Sequence, residues 1–365
     1  MTAGSAVDAR PVGRLDDLET PFLTIDLDAV DRNVARMQAY CDDHGIALRP
    51  HVKTHKLPLV ASLQLAAGAI GLTCQKVGEA EMLAAHGLGD DLLVTFPIIG
   101  GRKGQRLAEL AAGRAICVGA DSAAVATFVS SAASEHAVSI GFLVDCDTGY
   151  GRTGVQTPGE AADLAELASR LPGLRFAGLM THPTTRASGP WLREAVRRIE
   201  ERGLEVGSVS GGGTLTAWQV HEIGGITELR VGTYVYGDRP HVSAGTLSLK
   251  DCAIRVRAMV VSRPTPARAI LDAGSKALTS DLGLESHGAT YGLVTEYPEA
   301  VITQLSEEHG HVDLSACGRR PETGETVTIV PNHACGAVNL HSEVALHRAG
   351  AEVEIVPVAG RGLIR

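Results

Sequence analysis

Aromatic residues are scarce: Phe, Trp and Tyr make up 4% of the 365 residues. That is too few for a platform on which successive nucleic-acid bases could stack. Positive charge is also short. Lys and Arg number 33 against 42 Asp and Glu, for a formal net charge of -9, whereas a nucleic-acid binder ordinarily presents a basic face. No run of about 18 apolar residues occurs, so no membrane span is predicted. The stretch from Met1 to Leu15 lacks an apolar core of the signal-peptide kind. The cysteines (Cys41, Cys74, Cys117, Cys146, Cys252, Cys317 and Cys335) are dispersed without close pairs. An odd, scattered set without a secretion signal predicts reduced thiols in a cytoplasm. What is present is an ordinary globular mix, 44% hydrophobic and 21% charged, which excludes a disordered or coiled-coil chain. Glycine is plentiful at 42 residues, and suits tight turns and close backbone approaches to a ligand. The length allows two or three domains, or one large barrel with an addition.

Residues 22–27 read as a short strand, and 28–39 carry apolar residues (Val30, Val34, Met37) at helical spacing. A rhythm follows. Short β-rich runs fall near 46–49, 70–74, 92–96, 115–118, 139–145, 174–180, 206–210 and 227–231, with helical stretches such as 77–86 and 158–170 between them. Strand and helix alternating at roughly 20–35 residue intervals predicts parallel βα units. Eight such strands predict an α/β protein built on a (β/α)8 TIM barrel, ahead of an open doubly wound sheet. The rhythm changes near Leu247. Alternating segments at 253–261, 269–271, 326–330 and 352–358, separated by Gly, Pro and Ser clusters, predict a C-terminal antiparallel β domain. The expected division is 17–246 for the barrel and 247–365 for the β domain, with strand 22–27 a possible member of the latter.

Four segments could carry chemistry. Arg49-Pro50-His51-Val52-Lys53-Thr54-His55-Lys56 follows the first barrel strand, where barrel active sites lie. A lysine there could form a Schiff base with an aldehyde; a solvated basic loop fits the spacing equally. Asp147 to Gly154, after the fifth strand, is a Gly-rich turn able to bring Arg152 over the barrel mouth, or a plain connection. Ser210-Gly211-Gly212-Gly213-Thr214, after the seventh strand, combines free backbone N–H groups with the barrel position where phosphates commonly bind, and Gly232-Thr233 after the eighth could complete it. In Pro331-Asn332-His333-Ala334-Cys335, residues two apart share one face of an extended strand, an arrangement suited to two ligands of one Zn2+. A buried Cys beside an incidental His is the simpler reading of that pair alone.

Taken together and in order, these segments resemble the fold-type III pyridoxal-phosphate enzymes of the alanine racemase N-terminal-domain superfamily, and within them the D-serine dehydratases and D-threonine aldolases. Cys74-Gln75-Lys76, Glu228 to Tyr234, Leu271 to Lys276 and Ser306 to Gly310 add to the match. The resemblance implies a barrel with a C-terminal β domain, pyridoxal 5'-phosphate as cofactor, and a homodimer. It makes Lys53 the cofactor-bearing lysine. Arg152 would face the cofactor's phenolic oxygen, Arg230 its pyridine nitrogen, and Gly212, Gly213, Thr214, Gly232 and Thr233 its phosphate. A permanent cation against the ring nitrogen disfavours ring protonation. His333 and Cys335 would hold a divalent metal.

The metal pair discriminates between chemistries. Dehydratases of this group resemble the chain in using His and Cys with zinc, whereas the aldolases place a carboxylate at the Cys335 position, with manganese. The aldolases also carry a Tyr-His start and a second His after the sixth strand. Here that stretch is Thr181-His182-Pro183-Thr184-Thr185-Arg186-Ala187: His182 is kept as a catalytic candidate, the tyrosine is Thr181, and the second His is missing. The expectation is a metal-dependent lyase on a small D-3-hydroxy amino acid, dehydratase-like, releasing a 2-keto acid and ammonia. The alternatives are aldol cleavage to glycine and an aldehyde, a racemase using Tyr291 or Tyr297, and a non-catalytic cofactor carrier. No nucleic-acid or membrane partner is expected. Glu307, Glu308 and His309 fit either a surface turn or support for the metal, His341 is a further possible partner, and His221, His287 and His347 read as exposed.

Overall fold

The computed structural model describes residues 9–285, 288–349 and 353–365, so His287 lies outside the described residues. Two compact units emerge. One takes the chain up to Ala35, Thr54–Leu57 and Thr233–Gly362; the other takes Arg36–Lys53, Pro58–Gly232 and Leu363–Arg365.

The second of these holds eight parallel strands, in spatial order Ala47–Leu48, Glu228–Arg230, Ser208–Gly212, Leu174–Thr181, Ile140–Cys146, Ala115–Ala120, Asp91–Val94 and Leu72–Cys74. A parallel bridge from His51 to Thr73 joins the last to the first and curls the sheet into a barrel. All eight lie where the sequence rhythm placed them. Each residue of Ile140–Cys146 is buried, as a parallel strand covered on both faces requires. The helix Pro158–Arg170 shows why the alternation is local. Pro158 opens it, Thr157 and Glu160 cap each other's backbone N–H groups, and Arg170 sits in its last turn. Its buried Ala161, Leu164, Ala165 and Ala168 form one apolar stripe. Within the barrel, Arg49 donates from Nε to Glu228 at 2.8 Å and from Nη1 to Asp91 at 2.7 Å. These acids open the strands Glu228–Arg230 and Asp91–Val94, so the ion pairs tie strand N-terminal ends together.

The other unit is a ten-stranded, mainly antiparallel sheet. Its spine, Ile254–Thr265, alternates buried and half-buried positions over its first half and pairs antiparallel with Phe22–Asp26, Arg268–Leu271 and Thr326–Val330. Thr326–Val330 pairs in turn with Leu293–Val294. The path returns through Val301–Leu305 and Gly310–Asp313 to Arg268–Leu271, closing a ring. The opening strand Phe22–Asp26 lies between the spine and Glu343–His347, parallel to the latter.

The division differs from a single cut at residue 246. Thr233 onward belongs with the sheet because its backbone is bonded there: the Tyr236 carbonyl accepts from Ala253 N, and Arg239 N donates to the Pro331 carbonyl. The Asn33 side chain, donating to the Val235 and Asp251 carbonyls, ties the first part of the helix Leu27–Asp43, up to Ala35, into the same unit. No helix among the described residues is long and apolar enough to cross a membrane.

Candidate active site

Lys53 sits in a 3-10 turn, Val52–Thr54, beyond the first barrel strand. Beside it, His51 is buried with Nε2 3.2 Å from the Gln75 amide oxygen. Burial first, then the Lys53 and Arg230 cations, push the His51 imidazole well below its ordinary pKa. His182 is pushed down to about 3 by burial and by Lys53, Arg230 and Arg152. The fold therefore gathers Lys53, Arg152, His182 and Arg230, which come from four different strand ends, into one electrostatic neighbourhood.

Arg230 is only 5% exposed. Its Nη2 donates to the Thr181 carbonyl at 3.0 Å, while its buried Nη1 has no partner. A buried guanidinium donor without an acceptor is costly, and a ligand acceptor would relieve it. Gly212 ends the seventh strand, and a Cβ there would lie 3.0 Å from His182 Nδ1 and 3.5 Å from Arg230 Nη2. Gly213 follows at φ +115°, a conformation that favours glycine. The Gly212 N–H is already spent on the Thr184 hydroxyl at 2.8 Å. The turn Thr214–Gln219 begins at the next residue, and the first N–H groups of such a turn have no partner within it. The leftover Arg230 donor, the glycine cradle and Lys53 fit a phosphorylated aldehyde cofactor. Arg152 is exposed on its loop, 5.7 Å from the Tyr150 ring. That loop is fastened by Asp147, whose carboxylate accepts from the N–H groups of Gly149, Tyr150 and Gly151.

The stretch after the sixth strand forms a hydroxyl network. Thr181 donates to the Cys146 carbonyl at 2.8 Å, and the Thr148 hydroxyl lies 3.1 Å from that of Thr181 and 2.8 Å from that of Ser188. Thr216 donates to the Thr184 carbonyl at 2.7 Å. Sequence reading carried Asp147, Thr148 and Thr184 only as members of their segments and missed Ser188 and Thr216, because the hydroxyls of Thr148, Thr184, Ser188 and Thr216 meet partners from other segments only in the fold.

Thr233, His333 and Cys335 lie in the other unit. The metal pair is not on an extended strand, as its spacing suggested. The strand ends at Val330, His333 is the N-cap of the helix Ala334–Leu340, and Cys335 is in its first turn. Asp238 makes the turn, its carboxylate accepting from Ala334 N at 3.1 Å. His333 and Cys335 nevertheless meet: a hydrogen bond to Cys335, with a second to Asp281, raises the His333 imidazole to about 9. The Thr54 hydroxyl lies 3.2 Å from the Cys335 sulfur. A field that favours positive charge, with one nitrogen and one sulfur donor, fits a divalent ion of the zinc type. Among the described residues no group of three or more His, Cys, Asp or Glu could hold a metal, so the pair would supply two ligands.

Other candidates resolve differently. His309 and the two glutamates before it lie between the strands Val301–Leu305 and Gly310–Asp313, and exposed Glu308 pairs with Lys276 at 2.6 Å. That is a surface turn. His341 contacts the Ala277 carbonyl at 3.1 Å. His221 is exposed and stacked on His44, whereas His347 is half-buried rather than exposed. The Tyr297 hydroxyl is engaged with the Glu325 carboxylate.

A closed parallel barrel with a lysine beyond its first strand, joined in one chain to a β unit, defines the alanine racemase type of architecture. The chain belongs to that family: the model for the alanine racemase N-terminal domain matches residues 25–240, and one for a serine dehydratase domain matches 253–347. It is 34% identical to the D-threonine aldolase of Arthrobacter sp. over 98% of this chain and 96% of the relative. It is 33% identical to the D-threo-3-hydroxyaspartate dehydratase of Delftia sp. strain HT23 over 87% of this chain and 91% of the relative. Among solved structures, the D-threonine aldolase of Filomicrobium marinum superposes with a TM-score of 0.89 at 30% identity, over 98% of this chain and 99% of that one. The Delftia dehydratase superposes at 0.83 with 29% identity, over 93% and 97%.

Proposed function

We propose that this chain is a lyase of D-3-hydroxy amino acids of the dehydratase type, using pyridoxal 5'-phosphate and a divalent ion, with zinc the metal its donors favour. The observation that carries the reading is the placement of His333 and Cys335 at the start of one helix, with the Thr54 hydroxyl 3.2 Å from the Cys335 sulfur, a nitrogen and a thiol where an aldolase-like site would offer a carboxylate. The Delftia dehydratase has also been solved as a cysteine-to-alanine mutant in a metal-free form, in keeping with a cysteine near the metal in that enzyme. When bound, the cofactor supplies a sink for charge at Cα and the ion a Lewis acid for the β-hydroxyl.

The chain's own residues do the rest. Lys53 holds the cofactor and supplies an amine for proton transfer. Burial and three neighbouring cations keep His182 neutral, so its ring accepts hydrogen bonds but is a weak base for a proton. Arg230 presents its unpartnered Nη1, and Gly213, Thr214 and Gly232 offer backbone groups to the phosphate. The hydroxyls of Thr148, Thr181 and Ser188 are bonded among themselves; none is an imidazole able to take the proton that aldol cleavage removes from a β-hydroxyl. The reading extends to a reducing cytoplasm, in keeping with the seven free cysteines, and to the homodimer that the family resemblance implies.

Aldol cleavage is the second reading, favoured by the identity to the Arthrobacter aldolase. Incubation with D-serine, D-threonine and D-threo-3-hydroxyaspartate separates the two. A 2-keto acid with equimolar ammonia is expected; glycine with an aldehyde supports the aldolase instead. Neither keto acid nor ammonia from any of the three would overturn the dehydratase reading.

A further inference from the structure

We propose that Asp281 is a positioning residue for the metal pair: it fixes the ring of His333 so that Nε2, and not Nδ1, is the nitrogen offered to the ion. The proposal rests on the metal reading above. His333 Nδ1 lies 2.9 Å from Asp281 Oδ2. An ionised carboxylate can only accept, so Nδ1 keeps a proton toward Asp281, and Nε2 is the nitrogen left to give up its proton to an incoming ion. Metal-bound imidazoles are commonly oriented by this kind of carboxylate partner.

The surroundings of Asp281 are built to hold it. Thr279 adopts φ +74°, an uncommon conformation for a β-branched residue, which persists only where neighbours enforce it. Its hydroxyl donates to Asp281 Oδ2 at 2.9 Å, and the Asp281 N–H returns a bond to that hydroxyl at 3.2 Å. From the other side, the Asn332 amide, next to His333 in the chain, donates to the Asp281 carbonyl at 2.9 Å and to the Thr290 carbonyl at 2.6 Å. Gly336 gives the turn room to approach: a Cβ there would lie 2.7 Å from Thr279 Cγ2, and 3.5 Å from both Asp281 Oδ2 and His333 Nδ1. A strained threonine, an asparagine clamp and a missing side chain all serve one contact. The Thr54 hydroxyl stands in the same relation to the Cys335 sulfur, 3.2 Å away.

The test uses the full-length chain freed of metal and reloaded with Zn2+. Zinc affinity is measured by chelator competition for the wild type, Asp281→Asn, Asp281→Ala, His333→Ala and Cys335→Ala. Circular dichroism and thermal unfolding of each metal-free variant check the fold. Asp281→Asn is expected to weaken zinc binding roughly 10- to 100-fold, the range seen for outer partners of ligating histidines, and Asp281→Ala at least as much. Long-range 1H–15N correlations of the zinc-loaded wild type should show His333 protonated at Nδ1 and metal-bound at Nε2, with that proton losing its protection in Asp281→Ala. Unchanged affinity in both Asp281 variants, or zinc on Nδ1, would overturn the proposal. If His333→Ala and Cys335→Ala bind zinc as the wild type does, the metal reading itself fails, an outcome distinct from the first two.

Discussion

His182 in the barrel unit and His333 in the β unit stand in opposite fields. His182 is driven down to about 3 by burial and by Lys53, Arg230 and Arg152. His333 is driven up to about 9 by Cys335 and Asp281. The same side chain is thus kept neutral in one unit and set among anionic partners that favour its protonated ring in the other. The residue type names neither role; the charges within a few ångströms assign it. The contrast suits a division of labour in which the barrel unit, rich in cations, receives an anionic cofactor and the β unit, rich in anionic donors, receives a cation.

That division can be broken experimentally, starting where the effect is greatest. Lys53→Ala should lower lyase activity by at least about a thousandfold, on the scale of a lost acid–base group, and remove the visible absorption of the bound aldehyde while leaving zinc content at the wild-type level. Loss of zinc together with the cofactor would show that the two sites are not separate devices. Glu228→Ala tests the barrel's internal ion pairs. It leaves Arg49 buried with only Asp91 and removes the acceptor of Ser210, so urea unfolding should show a loss of about 3–5 kcal/mol. A loss below about 1 kcal/mol would mean that water relieves Arg49.

Smaller effects sharpen the contrast further. Gly336→Ala forces a methyl against Thr279 and should weaken zinc binding about tenfold through Asp281, with cofactor absorbance unchanged; equal affinity would show that the turn gives way freely. The smallest effect concerns pH. His182 has an ordinary value of 6.5 and a folded value of about 3. Between these the unfolded chain binds the extra proton, so the group is neutral in its effect above about pH 6.5 and destabilises the fold increasingly as pH falls toward 3. His51 acts in the same sense. The urea midpoint of the cofactor-free protein should therefore drop between about pH 7.5 and about pH 5, and drop less in His182→Gln. An identical drop in that variant would move the cause elsewhere.

The barrel was legible because each βα unit carries its own signal. Strand patterning, the Thr157–Glu160 cap and the Gly-rich turn at 211–213 are all encoded within about 30 residues. Several strands of the β unit were not legible. Val301–Leu305, Gly310–Asp313 and Glu343–His347 are short, and their pairing is set by partners far away in the chain. The candidate residues divide in the same way. Lys53, Arg152, His182 and Arg230 were visible as motif members at strand ends. The turn at His333 was misread as strand because two residues cannot report the Asp238 carboxylate that starts a helix over them.

From sequence alone came the number of barrel strands, the lysine beyond the first of them, the Gly-rich turn and a His and Cys two residues apart, all consequences of short-range spacing. Tertiary structure alone decided that Phe22–Asp26 joins Glu343–His347, that Asp281 reaches His333 across 52 positions, and that one histidine loses its proton where another keeps it. The physical reason is common to these: hydrogen bonds and charges act over a few ångströms of space, and only the folded chain sets which residues lie that close.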